Sequence, residues 1–338
     1  MTSTDFDTFT FYSLKEERPK EKGKISVNRY KQEKLMDDFI PRPHTCFLGM
    51  FSEQTAEEEH KVVIYFTGGF SAADENVVVD GFKQFRKVTL LVSHNQIKIE
   101  NIVNIGKIPT TITSGAGDHL DGNQDSPRFL IFGGLDPQQR VCDDWLRHCT
   151  ISHSMRGYKA HVERVVPEKD AIWPTARYGH SFDHLGHQVF FLVGDKTMPY
   201  RNSCLPMAMD LFHIEPVPDV LYSYSAEHNT WNTVETLTNL SVKRSSHATS
   251  RFIHNDISFL IVSGGLTYDQ QGWKNLPMSE TFLVKLCIRF NHYDVSIIPK
   301  KLLLAKEIFI SEHSILFNKK CLLFVGGLVA DSERTKPT

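Results

Sequence analysis

The 338-residue sequence predicts an all-β chain in which a four-stranded sheet recurs. Three observations lead there. Residues 173–196 (WPTARYGHSFDHLGHQVFFLVGDK) show one complete unit. Within it, 178–185 mixes apolar and polar residues at a period near 2, Gly186 sits in a turn, and 189–193 is continuously apolar, as a strand buried on both faces is. That apolar strand ends on Gly194, and the same ending recurs at Gly68 and Gly69, Gly133 and Gly134, Gly264 and Gly265, and Gly326 and Gly327. The first glycines of these endings lie 61 to 70 residues apart, room for about four strands of about 5 to 6 residues with their loops.

Four strands per repeat, with a glycine doublet after the second, is the pattern of a kelch-type β-propeller. In chain order, 6–14 and 25–30 are strand-like but carry no doublet, and a charged connector (KEERPKEKGK) separates them. Residues 43–51 open the first full blade, 62–66 form its second strand, and 87–92 with 96–103 supply its outer strands. The glycine-rich stretch 110–126 is where a degenerate first strand of the next blade belongs. Residues 142–152 and 158–166 finish that blade, and 220–225 with 231–235 finish the third. Residues 245–252 (SSHATSRF) echo RYGHSFDH and start the fourth, 282–290 with 293–298 complete it, and 308–317 start the last.

Few residues follow Gly327, so the N-terminal strands, within 1–42, are expected to complete the last sheet and close the ring, because an open ring leaves unpaired backbone groups on a buried edge. The whole chain, 1–338, then reads as one propeller domain. Two long insertions, 197–218 and 267–277, are candidate partner-binding edges.

A formal net charge of −2 supplies no global basic field for independent tight binding to nucleic acid. The cysteines at 46, 142, 149, 204, 287 and 321 are spread through strand-like segments and read as reduced core residues. No apolar run approaches the roughly 18 residues that span a bilayer, and the N-terminus lacks a signal-peptide pattern, so an intracellular protein without a membrane partner is expected.

No catalytic signature is found. Gly115, Gly117 and Gly122 do not join a strand to a helix as a phosphate-cradling loop does. The group Cys142, His148, Cys149 and His153 lacks the paired short spacings of a zinc site. No catalytic, cofactor or metal residues are therefore assigned. His180 and His247 fall in first strands, where a hydrogen-bonded, partly buried imidazole is expected. Arg177, Lys243, Arg244 and Arg251 flank first strands and are the candidates for a rim that meets phosphate or a partner, the alternative being solvated surface charge.

The run Ala176-Arg177-Tyr178-Gly179-His180-Ser181, followed by a strand, a glycine and the step Met198-Pro199, resembles the accessory-subunit family of the V(D)J recombinase, the recombination-activating protein 2 family. Glu168-Lys169-Asp170 upstream fits that family too, as do His247, Asn255-Asp256 and the apolar strand that ends in the doublet at Gly264. The resemblance covers 129–327.

It implies a kelch propeller of six blades, against the five glycine endings visible, and a non-catalytic nuclear subunit. The implied partners are a RAG-like transposase, which carries the active site, and DNA reached through that complex. The family's acidic hinge and zinc-binding PHD finger have no counterpart here, since no Cys/His array follows Val329. Histone reading is therefore not carried over, and the chain looks like the transposon-borne relatives of the recombinase. The competing reading is a generic kelch adaptor for protein substrates.

Overall fold

The computed structural model describes residues 8–9, 12–16, 25–29, 33–34, 45–56, 59–68, 84–93, 97–108, 115–135, 146–166, 171–184, 189–193, 221–234, 244–255, 257–268, 275–289, 292–302, 309–318 and 321–329. Every regular element among them is a β-strand, and every strand pairing is antiparallel.

Four short strands come first: β1 (Thr8–Phe9), β2 (Tyr12–Glu16), β3 (Ile25–Arg29) and β4 (Glu33–Lys34). The first large sheet is a meander of β5 (Thr45–Ala56), β6 (Glu59–Gly68), β7 (Gln84–Ser93) and β8 (Ile97–Lys107). The second runs β9 (Ala116–Asp121), β10 (Arg128–Phe132), β11 (Leu146–Ser154), β12 (Gly157–Val165). The third runs β13 (Ser181–His184), β14 (Val189–Val193), β15 (Leu221–Ser225), β16 (Thr230–Val234).

The fourth begins with β17 (Ala248–His254) and β18 (Ile257–Ser263), is interrupted by the small hairpin β19 (Leu266–Tyr268) and β20 (Asn275–Pro277), and ends with β21 (Thr281–Arg289) and β22 (His292–Leu302). Strands β23 (Ile310–Asn318) and β24 (Cys321–Val329) form a last, two-stranded sheet. From β5 to β23 the strands of the large sheets follow the predicted order, including β9 inside the glycine-rich stretch.

First strands of successive sheets are neighbours: β5 lies against β9, β9 against β13, β13 against β17, and β17 against β23. Apolar side chains fill the space between sheets. Leu48, Tyr65, Phe85 and Ile105 of the first sheet pack on Phe129, Ile131 and Cys149 of the second. Leu130, Phe132 and Leu146 of the second pack on Phe182, Tyr224 and Trp231 of the third. Since side chains on a strand alternate faces, β10 sends Phe129 and Ile131 to one neighbour and Leu130 and Phe132 to the other, which is why a central strand reads as a continuous apolar run.

Three expectations are corrected. Among the described residues the N-terminal strands do not pair with the last sheet; β2 pairs with β3 and β1 with β4. Strands separated by one short connector close a smaller loop, at lower entropic cost, than strands at opposite ends of the chain. The last doublet does not terminate a strand, because β24 runs through Gly326 and Gly327 to Val329, with Gly326 paired to His313. The ends of the insertion 267–277 pair as β19 and β20, which satisfies backbone groups that a loop leaves to water. His180 and His247 each lie one residue before their strand. Gly69, Gly194, Lys243, the insertion 197–218, residues 168–170, and Cys142 and Cys204 lie outside the described residues.

Candidate functional site

Two of the doublets act as joints. Gly133 and Gly134 have φ of 59° and 101°, and Gly264 and Gly265 have 62° and 97°, the left-handed region that a Cβ disfavours. There the chain leaves its sheet and meets the entry to the next. Gly134 N–H donates to the carbonyl of Arg177 at 2.9 Å, and Gly265 N–H donates to that of Ile310 at 2.7 Å. A Cβ on Gly133 would stand 2.4 Å from the Arg177 carbonyl oxygen, and one on Gly265 would stand 2.7 Å from that of Ser245.

Arg177 and Arg244 belong to these joints and not to an exposed rim, since each is 1% exposed. Arg177 donates from Nε to Thr175 O at 2.9 Å and from Nη2 to Thr175 Oγ1 at 3.0 Å, with its guanidinium 5.2 Å from the Tyr222 ring. Arg244 donates from Nη1 to the carbonyls of Gly264 (3.1 Å) and Glu280 (3.4 Å), lies 3.7 Å from the Glu280 carboxylate, and stands 4.6 Å from the Phe282 ring. Tyr222 pairs with Leu192 and Phe282 with Val262, the same register in consecutive sheets. A planar guanidinium can bond carbonyls at its edge while its face stacks on an aromatic ring, so these arginines are structural pins.

His180 beside them is 8% exposed, and its Nε2 donates to Phe132 O at 3.2 Å. Burial above all, with the nearby Arg177 charge, pushes its pKa down to about 3, so it is a neutral imidazole.

Arg251, alone of the predicted cations among the described residues, leads to a polar cluster. Its Nη1 donates to Asp118 Oδ2 at 2.9 Å and to the carbonyl of His184 at 2.5 Å. Asp118 also accepts the backbone N–H of His184 at 2.9 Å and of His119 at 2.7 Å. Asp183 accepts from Thr249 Oγ1 at 2.9 Å. The edge of the His119 ring relationship continues the cluster to the first sheet, with Phe51 at 4.8 Å between centroids. The first strands of the second, third and fourth sheets, β9, β13 and β17, thus contribute Asp118 and His119, Asp183 and His184, and Thr249 and Arg251.

Asp118 pairs with Leu130 and Asp183 with Phe191, each three residues before the glycine that ends its apolar run, so the two carboxylates occupy equivalent places in their repeats. Burial pushes Asp118 above the ordinary carboxylate range, opposed by Arg251 and the two backbone N–H donors. Burial, and then the charge of Asp118, push Asp183 up to about 7, opposed by Thr249, Ser181 and Arg251. Burial, with Arg251 and His119, holds His184 down at about 4. Asp183 Oδ2 and His119 Nε2 are buried without a hydrogen-bond partner.

Two carboxyl groups near one cation cannot both ionise cheaply, so the cluster retains a proton around neutral pH. Among the described residues no group of three or more His, Cys, Asp and Glu is placed to hold a metal ion. The sequence signal for the cluster is the tripeptide Asp-His-Leu, which stands at 118–120 and again at 183–185.

A series of antiparallel sheets, pinned at glycine and arginine joints and tied by a polar cluster on their first strands, is the class of protein these features define. No family model matches the chain, and no curated protein does. Solved structures similar to it include a chain of RAG in complex with one melted RSS and one unmelted RSS, with TM-score 0.49 and 15% identity over 81% of this chain and 71% of that one. The GH43_1 enzyme from Xanthomonas citri complexed with xylose has TM-score 0.40 and 10% identity over 83% and 81%. The major Malassezia sympodialis allergen Mala s 1 has TM-score 0.41 and 9% identity over 94% and 82%.

Proposed function

We propose that this chain is a non-catalytic accessory subunit of a RAG-like DNA recombinase or transposase. It folds as one kelch-type propeller, binds the transposase subunit in the nucleus, and assists recognition, cleavage and joining of DNA at terminal inverted repeats or recombination signals. The observation that carries this reading is the run 176–181, which resembles the accessory-subunit family. Its Arg177, Gly179 and His180 all sit at a joint between sheets, and Arg244, Ser246 and His247 repeat the arrangement. Residues of the motif thus serve the serial-sheet architecture, and the chain's own contribution is a rigid surface.

The near-neutral net charge favours DNA contact through the complex over contact by the chain alone, because tight binding needs several phosphates neutralised at once. The test is co-elution. The chain mixed with a RAG-like transposase should elute as a hetero-oligomer, and alone it should bind duplex DNA weakly and without sequence preference. Failure to co-elute, or tight sequence-specific binding by the chain alone, contradicts the proposal.

A further inference from the structure

Outside the cluster and the joints, one buried cation is set in a cavity. Lys87, on β7, is 5% exposed. Its Nζ donates to the hydroxyl of Tyr158 across the gap to β12, lies 3.8 Å from the Tyr158 ring centroid, and is 3.8 Å from the exposed carboxylate of Asp125. Tyr158 is itself fixed, donating to Asp125 Oδ1 at 3.0 Å and stacked on His153 at 4.3 Å.

Beside Lys87 lies a cavity of about 260 Å³, lined by Lys61, Thr89, Glu100, Asn101 and Val103 together with Lys87 and Tyr158. Strand register brings them together: Tyr65 pairs with Lys87 and Val63 with Thr89, so Lys61 follows on the same face of β6, and Asn101 pairs with Thr89 from β8. On this face the apolar core between the first and second sheets gives way to two ammonium groups, a hydroxyl and an amide. Burial pushes Lys87 below the ordinary lysine range; Asp125 opposes the shift and Lys61 adds to it. The one carboxylate on the lining, Glu100, is exposed and screened by water.

We propose that this cavity is a binding site for a small phosphate group, free or terminal, held between Lys61 and Lys87 with Thr89 and Asn101 as hydrogen-bonding groups. The volume admits a phosphate with several waters, each of which takes roughly 30 Å³. A dianion between the two ammoniums removes their mutual repulsion and restores the solvation that Lys87 has lost. A group 5% exposed is reached through the cavity by a small anion and not by the backbone of a duplex.

The test uses the full chain with inorganic phosphate against sodium chloride of equal ionic strength, reading thermal unfolding and the rate at which an N-hydroxysuccinimidyl acetate acetylates Lys87, followed by mass spectrometry. Phosphate should raise the unfolding midpoint. At ten times its dissociation constant it should slow acetylation of Lys87 about tenfold, leaving exposed lysines unaffected. Lys61→Gln, on the cavity lining and only partly buried, should abolish both effects without loss of the folded state. Equal behaviour in phosphate and chloride overturns the proposal, as does a Lys61→Gln variant that still responds. Protection of Lys87 by a short duplex lacking 5′-phosphates, at the same phosphate concentration, also overturns it.

Discussion

The backbone N–H of Ser246 donates to the carbonyl oxygen of Gly179 at 2.7 Å, and both residues are left-handed, with φ of 52° and 67°. They stand at the same place in consecutive repeats, two residues after Arg177 and Arg244. A serine tolerates that backbone at a cost, so the hydrogen bond and its surroundings fix it. The joint thus ties the third sheet to the fourth.

Valine at Gly133 or Gly265 should destabilise the chain by about 1 to 3 kcal/mol from backbone strain alone, with the contacts at 2.4 and 2.7 Å adding to it. Gly157, with φ of 100° and nothing within 4 Å of a built Cβ, provides the comparison: its valine variant carries strain without a clash. Denaturant unfolding of the three variants should place Gly157→Val closest to wild type. Equal losses in all three contradict the account of the joints.

Arg177→Ala and Arg244→Ala should each cost about 2 to 3 kcal/mol, the scale of losing charge-assisted hydrogen bonds at a buried site. A variant that melts like wild type would show that the arginine is not a pin. Charge reversal at Arg177 or Arg244 therefore tests folding, whereas Arg251, 44% exposed on its side chain, is the predicted cation suited to a test of surface contacts.

Of the fold, the apolar second strands were legible in the sequence because burial on both faces favours a continuous apolar run; the run before Gly133 is an example, and the one before Gly264 ends on a buried Ser263 that shares a hydrogen bond with Thr281. Among the first strands β9 was the hardest, because it is short, lies in a glycine-rich stretch and devotes positions to Asp118 and His119. The arginines were misplaced for a physical reason. A buried guanidinium stacked on Tyr222 or Phe282 has the same local sequence as an exposed one, and its aromatic partner comes from a strand much further along the chain. The cavity at Lys87 needs β12 of a second sheet to form, so no local pattern announces it.

Stability should fall as pH rises from about 4 to about 7 by the contribution of Asp183. Its folded pKa, about 7, exceeds the ordinary 3.8, so the folded state holds a proton that the unfolded chain releases. The contribution is present below the unfolded pKa and is lost as pH climbs through the folded one, with a slope of at most about 1.4 kcal/mol per pH unit. His180 and His184, held neutral by burial, act in the opposite direction at acid pH, so the group is isolated by difference. Asp183→Asn should gain on wild type between pH 5 and 8 in parallel urea titrations. Curves that run parallel across that range contradict the shift.

Cys46 and Cys149 are free, buried thiols, each pushed up to about 12 chiefly by burial. Their thiolate fraction at pH 8 is on the order of 10⁻⁴, so labelling by a thiol reagent should wait on opening of the sheets. Mass spectrometry after timed labelling should find both unmodified in the native chain and modified in urea. Rapid native labelling of either would contradict the packing between the first and second sheets.

The accessory-subunit proposal is tested most directly by strand cleavage with a RAG-like transposase on DNA bearing its terminal repeats, with and without this chain in the same buffer. The yield of cut and joined ends should rise when the chain is present, and the chain alone should cut nothing. Equal yields with and without it, or nuclease activity from the purified chain, would contradict the proposal.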